Sequence, residues 1–150
     1  MKIVIAAFAE GGAIPQINTG DGADISPAIE WSGAPEGTQS FALVMDDPDA
    51  PSGVWTHWLL WDIPRTVTAV AQAFKPGRLG QSGTNDFGRT GYGGPMPPKG
   101  HGPHRYFFKL YAVNVPALQL HAAARRPEFD RAIDGHILAE ASYMGRYERR

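Results

Sequence analysis

Residues 104–115 read HRYFFKLYAVNV, an almost unbroken run of aromatic and aliphatic side chains with Pro116 directly behind it. A run of this length and composition, closed by proline, predicts a β-strand. Strand side chains alternate, so the run sorts into two faces. His104, Tyr106, Phe108, Leu110 and Ala112 share one, the expected core side. Arg105, Phe107, Lys109 and Tyr111 share the other, which must be at least partly wet. A histidine and a tyrosine therefore enter the strand facing the interior.

Two further runs have the same character. SFALVMDD at 40–47 ends in two carboxylates, and THWLLWDI at 56–63 is closed by Pro64. Alternation groups Phe41, Leu43, Met45 and Asp47 on one face of the first, and His57 with Leu59, Trp61 and Ile63 in the second. Asp47 closes one strand and His57 opens the next, so antiparallel pairing brings them to the same end of a sheet. A carboxylate, two imidazoles and a phenol then meet at one rim of the core. Lys2–Ala7 and Ile29–Trp31 are weaker strand candidates.

Working outward, residues 76–103 hold half of the 18 glycines and several prolines with no periodic signal. A loop of that length in a compact domain is usually functional. Helical signals come only near the end. Pro116 is placed to open a short helix through Ala124, and Pro127 to open another. In the second, Phe129, Ile133, Ile137 and Ala141 recur at four-residue spacing and form one apolar stripe. On this reading His121 and His136 lie in helices and serve structure. Strands first and helices last predict a sheet sandwich with peripheral helices, in one domain spanning 1–150.

Composition narrows the function. The chain has 43% hydrophobic and 19% charged residues, the balance of a folded globular protein. Its formal net charge is −1 with no run of one sign, which leaves no footprint for nucleic acid or an anionic membrane surface. There are no cysteines, so disulfides, thiolate nucleophiles and Cys-ligated metal sites are excluded. The apolar stretch at the N-terminus is of strand size and meets Glu10 too early for a signal peptide, and no run reaches membrane-spanning length. A cytoplasmic location with no stable membrane insertion is the expectation, and a homodimer is compatible with it.

The polar cluster favours binding of an anion or polar head group. His57, His104 and the Tyr106 hydroxyl supply donors, while Asp47 fixes a tautomer or accepts a proton from the ligand. The backbone at Gly93–Gly94 offers N–H groups unobstructed by side chains. Trp55 provides an apolar wall or a platform for an ammonium group. Each residue alone also fits a structural role: Asp46, Asp47 and Asp49 are good turn formers around Pro48 and Pro51. That turn is also where a cis bond at Asp47-Pro48 or Ala50-Pro51 is expected. Two enzymatic alternatives use the same cluster: a hydrolase with Asp47 and His57 or His104 as a base pair, and a metal site drawn from Asp47, Asp49, His57, His101 and His104. Against the hydrolase, Ser52 is the nearest hydroxyl and sits in a loop without a nucleophile-elbow context.

Two long motifs in the chain resemble those of the phosphatidylethanolamine-binding protein family. Asp46-Asp47-Pro48-Asp49-Ala50-Pro51 followed by Val54-Trp55-Thr56-His57-Trp58 is similar to its first. Gly91-Tyr92-Gly93-Gly94-Pro95-Met96-Pro97-Pro98-Lys99-Gly100 running into Gly102-Pro103-His104-Arg105-Tyr106 is similar to its second. Ser26-Pro27, Trp31 and the tail Gly135–Ala139 resemble the family too, the tail its bacterial and archaeal branch. The resemblance implies a mainly β fold, an antiparallel Greek-key sandwich with short C-terminal helices. It implies a pocket for phosphate-like or carboxylate-like anions, including phospholipid head groups, with no cofactor. Matched position by position, Asp47, His57, His104 and Tyr106 are its polar residues and Ala50, Trp55 and Pro98 its walls. Gly94 and Met96 supply backbone donors, Met96 because Pro95 has no N–H to give. The family also implies a binding protein rather than an enzyme, with a protein kinase or a protease as an inhibited partner.

Overall fold

A computed structural model describes all 150 residues. Five strands form the larger sheet: β3 (Ser40–Asp47) lies at its centre, between β4 (Trp55–Pro64) and β7 (His104–Val113). The short β6 (Gln81–Ser82) flanks β4, and β8 (Ile137–Tyr147) flanks β7. A smaller sheet has the order β1 (Lys2–Val4), β2 (Ile29–Ser32), β5 (Ala69–Val70). All pairings within both sheets are antiparallel. The strands at 29–32, 40–47, 55–64 and 104–113 fall where hydrophobic runs predict them, while β1 is shorter than the Lys2–Ala7 run.

The larger sheet is covered on both faces, which is why its strands read as continuous apolar runs rather than alternating ones. Phe41, Leu43, Met45, Trp58, Leu60, Tyr106, Phe108 and Leu110 face the smaller sheet and pack on Ile3, Ile29, Trp31 and Val70. Ala42, Val44, Leu59, Trp61, Tyr111 and Val113 face the other way, onto Leu118, Ala124, Phe129 and Ile133. Every residue of β3 is buried.

Two bulges correct the simple alternation of the second run. Between the pairs Asp46↔Thr56 and Met45↔Trp58, β4 carries one extra residue, His57. A second irregularity between Phe41↔Ile63 and Leu43↔Leu60 places Asp62 at φ +57°. Each extra residue shifts the alternation by one. Trp58, Leu60 and Ile63 therefore join the core under the smaller sheet, whereas Leu59 and Trp61, expected on the face of His57, lie on the opposite one.

The C-terminal third also departs from expectation. Residues 116–124 form an irregular loop with a turn at 122–123, not a helix. Asp62 Oδ1 accepts the Leu118 N–H at 2.8 Å, and Gln119 and Ala123 adopt φ of +59° and +63°. The carbonyls of Ala123 and Ala124 accept from Thr84 rather than from a following turn of helix. The one α-helix, α1 (Arg126–Ile133), has Pro127 in its first turn and stops at Gly135, whose φ is +81°. The stripe Phe129, Ile133, Ile137, Ala141 splits there, the last two belonging to β8, which pairs along β7 from His104↔Tyr147 to Val113↔Ile137. A four-residue spacing is even, so it keeps one face of a strand as well as of a helix. His121 and His136 accordingly lie in no helix. Asp47-Pro48 and Ala50-Pro51 are both trans. No helix is long and apolar enough to cross a membrane.

Candidate functional site

A cavity of about 250 Å³ opens at the end of the larger sheet where β3 finishes and β4 and β7 begin. Asp47, Ala50, Trp55, His57, Met96, Pro98, His104 and Tyr106 all line it. Strand ends deliver the polar residues. Asp47 is the last residue of β3, Trp55 pairs with it across the ladder, the bulge of β4 presents His57, and His104 and Tyr106 open β7. The glycine- and proline-rich loop closes the mouth with Phe87, Met96, Pro97 and Pro98.

Asp47, 3% exposed, is held from two sides. Its Oδ1 accepts the Asp49 N–H at 2.8 Å and its Oδ2 accepts from His104 Nδ1 at 2.7 Å. Asp49 in turn binds Arg105 through both carboxylate oxygens, and that guanidinium holds its pKa down at about 2. His57 donates from Nδ1 to the Gly93 carbonyl at 2.6 Å, which fixes its tautomer and leaves Nε2 free. Burial lowers the pKa of His57 against the opposing pull of that carbonyl, so the ring is neutral at neutral pH. Burial first, then the nearby Asp47 charge, pushes Tyr106 well above the ordinary phenol range, so it stays a hydroxyl.

Four buried side-chain donors have no partner in the protein, the indoles of Trp31, Trp55 and Trp61 and the Tyr106 hydroxyl, and of these Trp55 and Tyr106 belong to the cavity lining. Tyr106 is fully buried. An orphaned buried hydroxyl costs about 1–3 kcal/mol, so its placement on a cavity wall marks a position for an acceptor group. The Met96 N–H likewise donates to no protein acceptor.

Gly94 is a correction. It is buried outside the cavity lining, and its N–H donates to Asp24 Oδ1 at 2.7 Å, while that of Gly93 donates to the His57 carbonyl. Neither is available to a ligand. A side chain at Gly94 would collide with the Asn18 carbonyl and Asp24, so this glycine serves close packing of the loop.

Reading strands alone misses Pro51, Ser52, Phe87 and Pro97. Phe87 stands edge-on to both Trp55 and His57, at centroid distances of 5.5 and 5.2 Å. An aromatic residue inside a glycine-rich loop was the available signal. Buried Asn85 shapes that loop, accepting the N–H groups of Phe87 and Arg89 and donating to the Gly91 carbonyl. Ser52 is exposed and hydrogen-bonds neither imidazole. No three of the carboxylates and imidazoles converge as a metal-binding group. His101, outside the lining, brings its Nδ1 to 2.5 Å from His104 Nε2.

The phosphatidylethanolamine-binding protein family model matches residues 4–148. A UPF0098 protein of Aquifex aeolicus is 49% identical over 152 residues, covering 99% of this chain and 89% of the relative. The crystal structure of Escherichia coli YbcL, described as a new member of the mammalian family, superposes with a TM-score of 0.92 at 32% identity, covering 99% of this chain and 98% of YbcL. The Chlamydia trachomatis homologue CT736 gives a TM-score of 0.91 at 32% identity, with 99% and 97% covered.

Proposed function

The chain belongs to the phosphatidylethanolamine-binding protein family, and from that premise we propose that it is a binding protein holding a small anion, of phosphate or phospholipid head-group type, in the cavity where β3, β4 and β7 meet. One observation carries the reading: the buried Tyr106 hydroxyl lines the cavity with no partner of its own. An anionic oxygen is the acceptor that repays a buried donor best, since a hydrogen bond to a charged group is roughly twice as strong as a neutral one. Trp55 Nε1 and the Met96 N–H are two further donors without a protein acceptor on residues that line the same cavity. Apolar walls from Ala50, Phe87, Pro97 and Pro98 lower the local dielectric and strengthen these bonds.

Calorimetric titration with inorganic phosphate, phosphoethanolamine and neutral ethanolamine tests it. The two phosphates bind saturably and ethanolamine does not, and Tyr106→Phe weakens both phosphates. Equal binding of all three, or none, sinks the reading.

The exposed apolar rim supports a second reading, in which a protein partner of the kinase or protease class seats on the mouth. Val54 is 61% exposed, Met96 40% and Phe87 37%, and the last two line the cavity. Competition between phosphate and such a partner would join the two readings, and independent binding would separate them.

A further inference from the structure

The hydrogen bonds of the pocket leave it rich in acceptors. Asp47 Oδ2 accepts the hydrogen bond of His104 Nδ1–H, so a neutral His104 has a bare Nε2. The Gly93 carbonyl accepts from His57 Nδ1–H in the same way, so His57 Nε2 is bare as well. An anion seated beside Asp47 therefore places two negative charges in one largely buried space, where like charges disfavour each other strongly. Arg105, Arg126 and Lys109 do not relieve this. Arg105 is committed to Asp49 by two side-chain bonds of 2.9 and 2.8 Å. Arg126 and Lys109 lie with Asp46 on the opposite face of the sheet.

His101 supplies what the count lacks. It stands between Gly100 and Gly102, with φ of +76° and +84°, two left-handed positions that turn the loop back onto β7. Its Nδ1 reaches His104 Nε2 at 2.5 Å. With both rings neutral, His101 must donate across that contact. A further proton enters at the remaining nitrogen of His101, which is exposed, while His104 is 1% exposed. Asp47, His104 and His101 thus form one chain of contacts from the cavity to solvent.

Building on the anion-binding reading, we propose that the pocket takes up one solvent proton with each anion and that the His101–His104 pair, opposite Asp47, holds it. The resulting imidazolium offsets one of the two negative charges. Other titratable or charged groups on the elements around the pair are Lys99 on the same loop, Asp49, Arg105 and Tyr106, His57 on β4, and Arg146, Tyr147, Glu148 and Arg149 at the end of β8. Tyr147 and Arg149 are both bound to Asp21. Among these side-chain types imidazole is the one that ordinarily exchanges a proton near neutral pH, and His57 lacks a carboxylate bonded to its ring.

Sulfate, which carries no titratable proton in this range, is the probe. Its binding is measured by calorimetry in two buffers of different ionisation heat, between about pH 6 and pH 8, for the wild type and His101→Ala. At about pH 7.5 the wild type takes up about one proton per sulfate, and affinity falls about tenfold per pH unit above neutrality. His101→Ala, altered at an exposed position outside the cavity lining, loses most of that uptake while still binding at about pH 6. Saturable binding with pH-independent affinity and no buffer-dependent heat overturns the proton coupling and leaves the anion site standing. Unchanged uptake in His101→Ala overturns the assignment to the pair. Absence of saturable binding at about pH 6 for phosphate and sulfate alike removes the anion site, and the coupling with it.

Discussion

Asp46 and Asp47 are neighbours on β3, both 3% exposed, and they face opposite sides of one sheet. Asp46 lies under α1, where the Arg126 guanidinium bonds it and Lys109 Nζ approaches to 3.6 Å. Arg126 also reaches Thr56 and Asp130, so α1 is pinned to the sheet through one charged side chain. Asp47 meets no permanent cation. It holds an imidazole and a backbone N–H, and it borders a cavity whose wall includes an unpartnered hydroxyl. Residue type and burial are the same on the two sides. What separates a clamp from a site is whether every donor and acceptor around the carboxylate is already used.

The comparison breaks most visibly on the α1 side. Arg126→Ala leaves Asp46 buried against Lys109 alone, so the midpoint of denaturant unfolding should drop by the equivalent of about 3–5 kcal/mol. Phosphate affinity of the folded protein should not change. On the cavity side the pattern inverts. Tyr106→Phe removes an unsatisfied hydroxyl, so stability should hold or rise by up to about 1 kcal/mol while phosphate affinity falls about tenfold, the worth of one charge-assisted bond. Lower stability with unchanged affinity would mean that the hydroxyl has a structural role.

Acid stability sharpens the contrast further. Because burial lowers the His57 pKa below the ordinary 6.5, the unfolded chain binds a proton at that residue before the folded one does. Stability from this source is complete above pH 6.5 and declines as pH falls below it. Melting temperatures of His57→Gln should therefore fall less steeply than those of the wild type over that acid range. The smallest effect is expected at the rim. Arg105 and Asp49 form a solvent-facing pair, and Arg105→Ala should cost under about 1 kcal/mol in denaturant unfolding. The Asp49 share of that, with its pKa depressed to about 2, is present above the ordinary carboxylate range and disappears as pH falls towards 2.

The larger sheet was legible because a sheet covered on both faces needs apolar residues at almost every position, and the three long runs supply them. The site was legible where strand ends set it: Asp47, His57, His104 and Tyr106 sit at the termini of those runs. His57 reached the pocket by a route that alternation does not describe. The bulge that presents it is a local two-against-one register that no periodicity signals. Strand β8 stayed hidden because its alternating Ala139, Ala141 and Tyr143 follow helix α1 closely, and only Gly135 separates the two periods. Gly94 was misread for a different reason. A glycine free of side-chain obstruction is as useful for close packing as for ligand contact, and here Asp24 takes its N–H. The contact of His101 with His104 was not legible because the turn that makes it depends on two positive-φ glycines in a stretch without periodicity.

The central claim is that this cavity is an anion site, and the most direct measurement is an NMR titration of backbone amide and indole N–H signals with phosphoethanolamine, against ethanolamine as the neutral control. The account predicts saturable shifts of the Trp55 indole and the Met96 and Tyr106 amides, requiring about tenfold more ligand in Tyr106→Phe, with signals around Asp46 and Arg126 unmoved. Saturation without those shifts, or no shift at millimolar ligand, would contradict it and move the search for function to the surface of the protein.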